Sequence, residues 1–442
     1  MVMLRSPRGT VILLLSAVFV TFGLLQLTDA GLALVYTGIA LFLFYYTSRL
    51  ILQLKIAAVN KLDIVRTRPV KTSEDKTLRV KLELTNPTFM GVQIEIFDNY
   101  PSFFRLKTGT NTALVAVPGR GYSTLQYEIQ PTSIGSHEFG AIHLVMRDLA
   151  GLFFYQRDMD VHGRVEVTPH SRELARGSLT ANAFSEFSGT VVSKRKGEGM
   201  EFADIRQYTF GDPYKRIEWK STARTGELMV RELHAETQLN VMLVLDASDT
   251  MAYGQAGQTK LDYSARGVAS LVTYLSRRGD FFGLTVVQGR DPATVIPLAR
   301  GQVQITRILN RLGQIQPTTA AADALGQAIT RSLTLGRIKG RTLFFILTDL
   351  ETKEELTSLR QLRAMSHEAV IISPYTPLFE SHDLKGLDRA MFAIRTANSW
   401  PIREQLMLEA EKLGVPFFDV GPRDLFSSLV QRVEEHRRAG GS

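Results

Sequence analysis

Two apolar runs near the start of the chain, 11–27 (VILLLSAVFVTFGLLQL) and 32–52 (LALVYTGIALFLFYYTSRLIL), are separated only by the turn TDAG. A segment lodged in hydrocarbon must satisfy every backbone N–H and C=O within itself, which for one or two segments leaves the helix. At about 1.5 Å per residue the first run reaches roughly 25 Å and the second slightly more, which suits a hydrocarbon core about 30 Å thick. The pair predicts a transmembrane helical hairpin within residues 1–60. A signal peptide is the competing reading of the first run, because Arg5 and Arg8 precede it, but no small-residue cleavage pattern is present and a second run follows at once. Arg49, Lys55, Lys61, Arg66 and Arg68 end or follow the hairpin, while its turn carries only Asp29. By the positive-inside rule both ends face the cytoplasm, so the rest of the chain is expected there, tethered to the cell membrane. Tyr36, Tyr45 and Tyr46 suit an interfacial position or core packing equally well.

A chain of 442 residues exceeds what one hydrophobic core serves, so two soluble domains beyond the hairpin are expected. From 61 to 170 the pattern has period two: LRVKLEL, Leu78 to Leu84, alternates apolar and charged residues without a break. Short strands follow, with TNPT, VPGRG and PTSIGS as turns between them, which predicts an all-β sandwich, immunoglobulin-like in outline. Nothing in it groups into a catalytic set. Residues 171–238 form a charged, glycine-marked segment. There Phe202, Tyr208, Phe210 and Trp219 would fasten it to a neighbouring domain, and Arg206, Lys215, Arg216, Lys220, Arg224 and Arg231 alternate with Glu201, Asp204, Asp212, Glu218, Glu227 and Glu232. Acids match bases nearly one for one, so ion pairing is the reading and nucleic acid is not expected as a partner, although the chain carries a formal charge of +8. With no cysteine, disulfides, zinc-thiolate sites, iron–sulfur clusters and thiol catalysis are all excluded.

From 239 to 436 strands and helices alternate: LNVMLVLD, an amphipathic helix KLDYSARGVASLVTYLSRRG, FFGLTVV, helices in VQITRILNRLGQI and DALGQAITRSL, then RTLFFILTD. A helix around 353–365, the strand EAVIIS, a helix near 401–413, the strand PFFDV and a helix around 422–436 complete it. Such alternation predicts a doubly wound α/β sheet whose ligands bind beyond the carboxyl ends of its strands. Two of those strands end in aspartate, Asp246 and Asp349. Ser248, Asp249 and Thr250 follow the first, and the loop QPTTAAD offers Thr318 and Thr319. Two carboxylates with several hydroxyls, and neither histidine nor cysteine nearby, favour magnesium over zinc or copper. The competing reading is that Ser248, Asp249 and Thr250 only cap the next helix, but capping does not explain Asp349 and the threonine loop.

The stretch DASDT resembles the D-x-S-x-S motif of von Willebrand factor A domains, with Thr250 in place of the last serine. Thr318 falls where that family has its ligating threonine, and Asp349 matches the aspartate ending its next central strand. The resemblance implies a metal-ion-dependent adhesion site made by Asp246, Ser248, Thr250, Thr318 and Asp349, with one coordination position left for a partner's carboxylate. Further, GEGMEFADIRQYTFGDPYKRIEWKSTARTGELMVRE resembles the hallmark segment of the DUF58 family, and IGSHEFGAIHLVMRDLAGLF, with Asp148, Gly151 and Leu152, is similar to its other element. That resemblance implies a membrane-anchored, non-enzymatic protein-interaction scaffold. It would work with a MoxR-type AAA+ ATPase and client proteins in complex assembly, envelope or stress functions. Two alternatives differ in class. One is a structural membrane protein whose A-like domain is metal-free. The other is a magnesium-dependent phosphohydrolase, which would need a second carboxylate where Ser248 stands. His234 and His382 lack a catalytic partner by spacing.

Overall fold

The computed structural model describes residues 3–169 and 196–439, except 27, 235–237, 256, 290–291, 320, 322, 351–353, 381–385 and 423–424. His382 and residues 171–195 of the charged segment therefore lie outside the described residues. The chain divides into two compact units, Met1–Thr132 with Ser136–Val167, and Ser133–Gly135 with Thr168–Ser442.

In the first unit a short strand β1 (Met3–Arg5) precedes two helices, α1 (Pro7–Leu25) and α2 (Asp29–Val59), both long and apolar enough to cross a membrane. Ser6 caps α1 by accepting from the Gly9 N–H, with Pro7 at the first helical position, and Thr28 caps α2 by accepting from Gly31. Their buried residues recur every seven positions: Gly9, Ser16 and Gly23 on α1, Gly31, Gly38, Tyr45 and Leu52 on α2. This is a heptad seam of small residues that lets two backbones approach closely. A Cβ on Gly23 would lie 2.6 Å from the Gly31 carbonyl oxygen, and one on Gly38 2.8 Å from that of Ser16.

The strands of this unit are β2 (Asp63–Thr67), β3 (Lys71–Ser73), β4 (Leu78–Thr85), β5 (Val92–Asp98), β6 (Phe104–Gly109), β7 (Thr112–Val117), β8 (Tyr122–Pro131), β9 (Gly135–Phe139), β10 (Ile142–Arg147), β11 (Phe153–Met159) and β12 (Gly163–Thr168). They form sheets of order β1-β11-β10-β5-β7, β2-β4-β8-β6 and β3-β12-β9. The predicted alternation holds in β4, where Leu78, Val80, Leu82 and Leu84 are buried. The end of α2 joins the same core: Tyr45, Leu52, Ala58 and Val59 pack with Ile94, Leu144, Phe153 and Tyr155. Tyr45 is thus a packing residue, whereas Tyr36 and Tyr46 are exposed.

Two features of this unit lie outside the sequence reading. Before α1, β1 pairs antiparallel with β11 from Met3↔Tyr155 to Arg5↔Phe153. Arg66 is not a free cation at the membrane face: it is buried and ion-paired with Asp98, and it donates to the carbonyls of Gly140 at 2.9 Å and Val161 at 2.6 Å.

In the second unit β13 (Lys196–Gln207) and β14 (Met229–His234) form an antiparallel hairpin around helix α3 (Trp219–Thr225). Arg206 pairs with Asp212 and Arg231 with Glu218, so ion pairing here closes the segment on itself. Of the aromatics expected to fasten it, Phe210 is fully exposed and Trp219 largely so, Tyr208 is half-buried with its ring stacked on Tyr214 at 5.9 Å, and the Phe202 side chain lies outside the described residues.

The α/β part contains β15 (Asn240–Asp246), the two-residue strands β16 (Gly254–Gln255) and β17 (Gln258–Thr259), then β18 (Phe281–Val287), β19 (Thr294–Ala299), β20 (Leu343–Leu347), β21 (Glu368–Pro374) and β22 (Phe417–Val420). Its helices are α4 (Lys260–Arg277), α5 (Gln302–Leu312), α6 (Ala324–Leu335), α7 (Glu354–Ala364), α8 (Thr376–Glu380), α9 (Leu387–Lys412) and α10 (Leu425–Ala439). One sheet of order β19-β18-β15-β20-β21-β22 runs through it, parallel except for the edge strand β19. Side chains alternate between two cores. Val241, Leu243 and Leu245 of β15 meet α4, α5 and α10, while Met242 and Val244 meet α6, α7 and α9. Strand β19 is absent from the sequence reading; it holds Pro297, which is tolerated because the strand lies at the sheet edge. Helix α9 begins well before the predicted 401, with Pro401 inside it rather than at its start.

Candidate functional site

Strands β15 and β20 pair in parallel at the middle of the sheet. The chain leaves β15 for β18 on one side and returns to β20 on the other, so their carboxyl ends meet at the switch point where such sheets take ligands. Asp246 ends β15 and Asp349 follows β20, and both are buried. Asp246 Oδ1 accepts from the Ser248 N–H at 2.9 Å and Oδ2 from the Thr348 hydroxyl at 2.8 Å. Burial pushes the Asp246 carboxyl above the usual range, against the pull of the bonds from Thr348 and Ser248, and the charge of Asp349 adds to the rise.

Ser248 Oγ lies 3.0 Å from Thr250 Oγ1. It gives no side-chain cap to the short turn Asp249–Ala252. Helix α4 has its own capping box, made by Thr259 and Asp262. Capping therefore does not account for Ser248.

The threonine loop comes alongside through its backbone: Thr318 N–H donates to the Ala247 carbonyl at 3.1 Å, and Ser248 and Thr318 form a parallel bridge. The two adjacent threonines then differ. Thr319 Oγ1 donates to Asp249 Oδ2 at 2.5 Å. Thr318 Oγ1 is buried and has no hydrogen-bond partner among the described residues, a situation that costs about 1–3 kcal/mol when nothing else engages the group. Among the described residues no three His, Cys, Asp or Glu side chains gather into a metal cluster. The assembled set is instead two carboxylates with the hydroxyls of Ser248, Thr250 and Thr318, all hard oxygen donors. A donor set of that kind with one orphaned hydroxyl fits a magnesium-type ion that keeps several waters.

Two residues of this neighbourhood are absent from the sequence reading. Lys260, at the first position of α4, has no exposed surface; its ammonium donates to Asp349 Oδ2 and, at 2.9 Å, to Thr376 Oγ1, and lies 5.5 Å from the Tyr253 ring centroid. A sequence signal for it existed: a cation in the first turn opposes the helix dipole and calls for a compensating anion. Arg403 of α9 is also buried, and donates to the carbonyls of Asp349 at 2.6 Å and Leu350 at 3.0 Å and to the Asp419 carboxylate. It holds the turn behind Asp349, where Leu350 takes a positive φ of 42°.

An uncharacterized protein of Mycobacterium tuberculosis is 27% identical over 210 residues, which are 47% of this chain and 64% of that relative's length. An aerotolerance-related membrane protein of Bacteroides fragilis, carrying multiple mutations to serine, is 18% identical and covers 46% of this chain and 98% of its own, with a TM-score of 0.29. The mussel byssus proximal thread matrix protein 1, solved with a zinc-occupied MIDAS motif, is 14% identical and covers 46% of each chain, with a TM-score of 0.30. The family model described as "Protein of unknown function DUF58" matches residues 204–377, from β13 into α8. Through that region the chain is similar to the DUF58 family.

Proposed function

We propose that this protein is a membrane-anchored interaction scaffold, not an enzyme, whose A-like domain holds magnesium at Asp246, Ser248, Thr250, Thr318 and Asp349. The ion would supply a Lewis-acidic contact for an acidic group of a partner protein, and a MoxR-type AAA+ ATPase is the partner proposed. The observation that carries the reading is the buried, unpartnered Thr318 hydroxyl beside the Ser248–Thr250 pair at the switch point. Two-span anchoring draws support from β1, whose pairing with β11 keeps the chain's start on the same side as the β-rich unit. Cytoplasmic orientation draws support from Arg5, Arg8, Arg49, Lys55 and Lys61, which remain after Arg66 is discounted.

Thermal melts of the full chain in detergent test the metal. At 100 times its dissociation constant a bound ion adds about 2.7 kcal/mol of stability, and Asp246→Ala should abolish that shift. Equal capture of the ATPase by wild type and Asp246→Ala, in magnesium and in chelator alike, defeats the metal-bridged scaffold. The metal-free alternative has one observation in its favour, the ammonium of Lys260 already on Asp349. It predicts no shift in the same melt.

A further inference from the structure

Lys260 and Asp349 form an ion pair removed from water, with side-chain exposures of 0% and 10%. The lysine is fixed at both ends. Its backbone opens α4, whose start is held by the Thr259–Asp262 capping box. Its ammonium has two polar partners, Asp349 Oδ2 and Thr376 Oγ1. If Asp349 turned that oxygen to a metal ion, it would strand a buried ammonium with one hydroxyl, and an unpaired buried charge is strongly unfavourable. Among the described residues Asp246 has no such competitor. Its partners are the Ser248 N–H and the Thr348 hydroxyl, both neutral donors. The nearby Asp249 is exposed, so solvent screens its charge.

Resting on the metal reading above, we propose that Lys260 is a built-in counter-cation that keeps Asp349 out of the ion's inner shell. Of the five residues proposed above, Asp246, Ser248, Thr250 and Thr318 then hold magnesium directly, and Asp349 stands behind them. The consequence is a trade. With one of the two carboxylate charges answered from within, the ion binds more weakly but keeps more positive charge for an incoming carboxylate. Lys260 is a positioning residue here, acting on the ion through Asp349.

The test is a double-mutant cycle read by calorimetric titration of Mg2+ into the full chain in detergent: wild type, Lys260→Met, Asp349→Asn and the double variant. Lys260→Met should bind Mg2+ at least about tenfold tighter, since it frees a buried carboxylate for the ion. Asp349→Asn, which leaves the ammonium uncompensated beside the site, should bind Mg2+ more weakly than wild type, and the double variant should lose the gain. Acetate, as a probe of the loaded site, should bind Lys260→Met more weakly than wild type. If Mg2+ binds, is lost in Asp246→Ala, and yet Lys260→Met matches wild type, the lysine inference alone falls. If wild type binds no Mg2+, the metal reading falls and takes this one with it. Should Lys260→Met not fold, a crystal structure of the wild-type chain with Mn2+ decides. Asp349 on the ammonium and outside the ion's inner shell supports the inference, and direct ligation by Asp349 overturns it.

Discussion

At the scale of single residues, the most consequential side chains are buried polar groups that a period-two pattern hides. Asp98 sits on the inward face of β5, where alternation calls for an apolar residue, and it is fully buried with Arg66 and with the Tyr127 hydroxyl at 2.6 Å. Burial and then the adjacent carboxylate push the Tyr127 phenol far up, so it stays a donor. Asp98→Ala leaves the Arg66 charge without its partner and should destabilise the chain by about 3–5 kcal/mol in a denaturation experiment. His367 behaves differently. Its Nδ1 is buried without a hydrogen-bond partner, the ring packs on Phe344, and burial lowers its pKa from the ordinary 6.5. A lowered folded-state pKa means that the unfolded chain takes up protons first. The associated stability is present above about pH 6.5 and is lost as pH falls from there through the lowered folded-state value. Melting temperatures measured from pH 7.5 to 5.5 should fall less steeply in His367→Phe than in wild type. Of the candidate site, Asp246, Ser248 and Thr250 were legible in the sequence because they lie within five residues of one another. Lys260 was not, because its meaning depends on Asp349, 89 residues away.

At the scale of elements, the helical hairpin shows how a recognised segment conceals its packing. Hydropathy identifies α1 and α2 but treats glycine as filler, while here glycine and serine at heptad spacing form the contact. Gly38→Leu should cost about 1–3 kcal/mol through overpacking, measured as thermal stability in detergent. Leucine at the adjacent exposed Thr37 should stay within about 0.5 kcal/mol of wild type. Two prolines sit where local rules do not favour them: Pro297 lies in β19, whose place at the sheet edge makes the missing N–H harmless, and Pro401 lies in the interior of α9, which the sequence reading began only near 401. In the charged segment the sequence showed acids alternating with bases but not which of them pair. Arg206 meets Asp212 across a local turn, whereas Arg231 meets Glu218 only because the chain returns through α3.

At the scale of the whole molecule, β1 pairs with β11, so if α1 and α2 span a membrane as proposed, both flanks of the hairpin lie on one side. The chain has no cysteine of its own, so single cysteines report this directly. Leu4→Cys and Lys107→Cys should react with an impermeant maleimide from the same side of the membrane, and Ala30→Cys, in the turn, from the other. Equal labelling of Leu4→Cys and Ala30→Cys from one side contradicts a spanning hairpin. The sequence by itself determined what depends on near neighbours: two apolar helices, a period-two region, an alternating α/β region, and the trio Asp246, Ser248 and Thr250 at a strand end. Periodicity and spacing are written locally, and local rules suffice to read them. Only the tertiary structure decided that Thr318 rather than Thr319 keeps a free hydroxyl beside Ser248, that Lys260 answers Asp349, that Asp98 answers Arg66, and that the first residues add a strand to a distant sheet. Each of these joins groups far apart in the chain. What such a group does is set by the partner and the burial that folding provides, and neither is encoded at its own position.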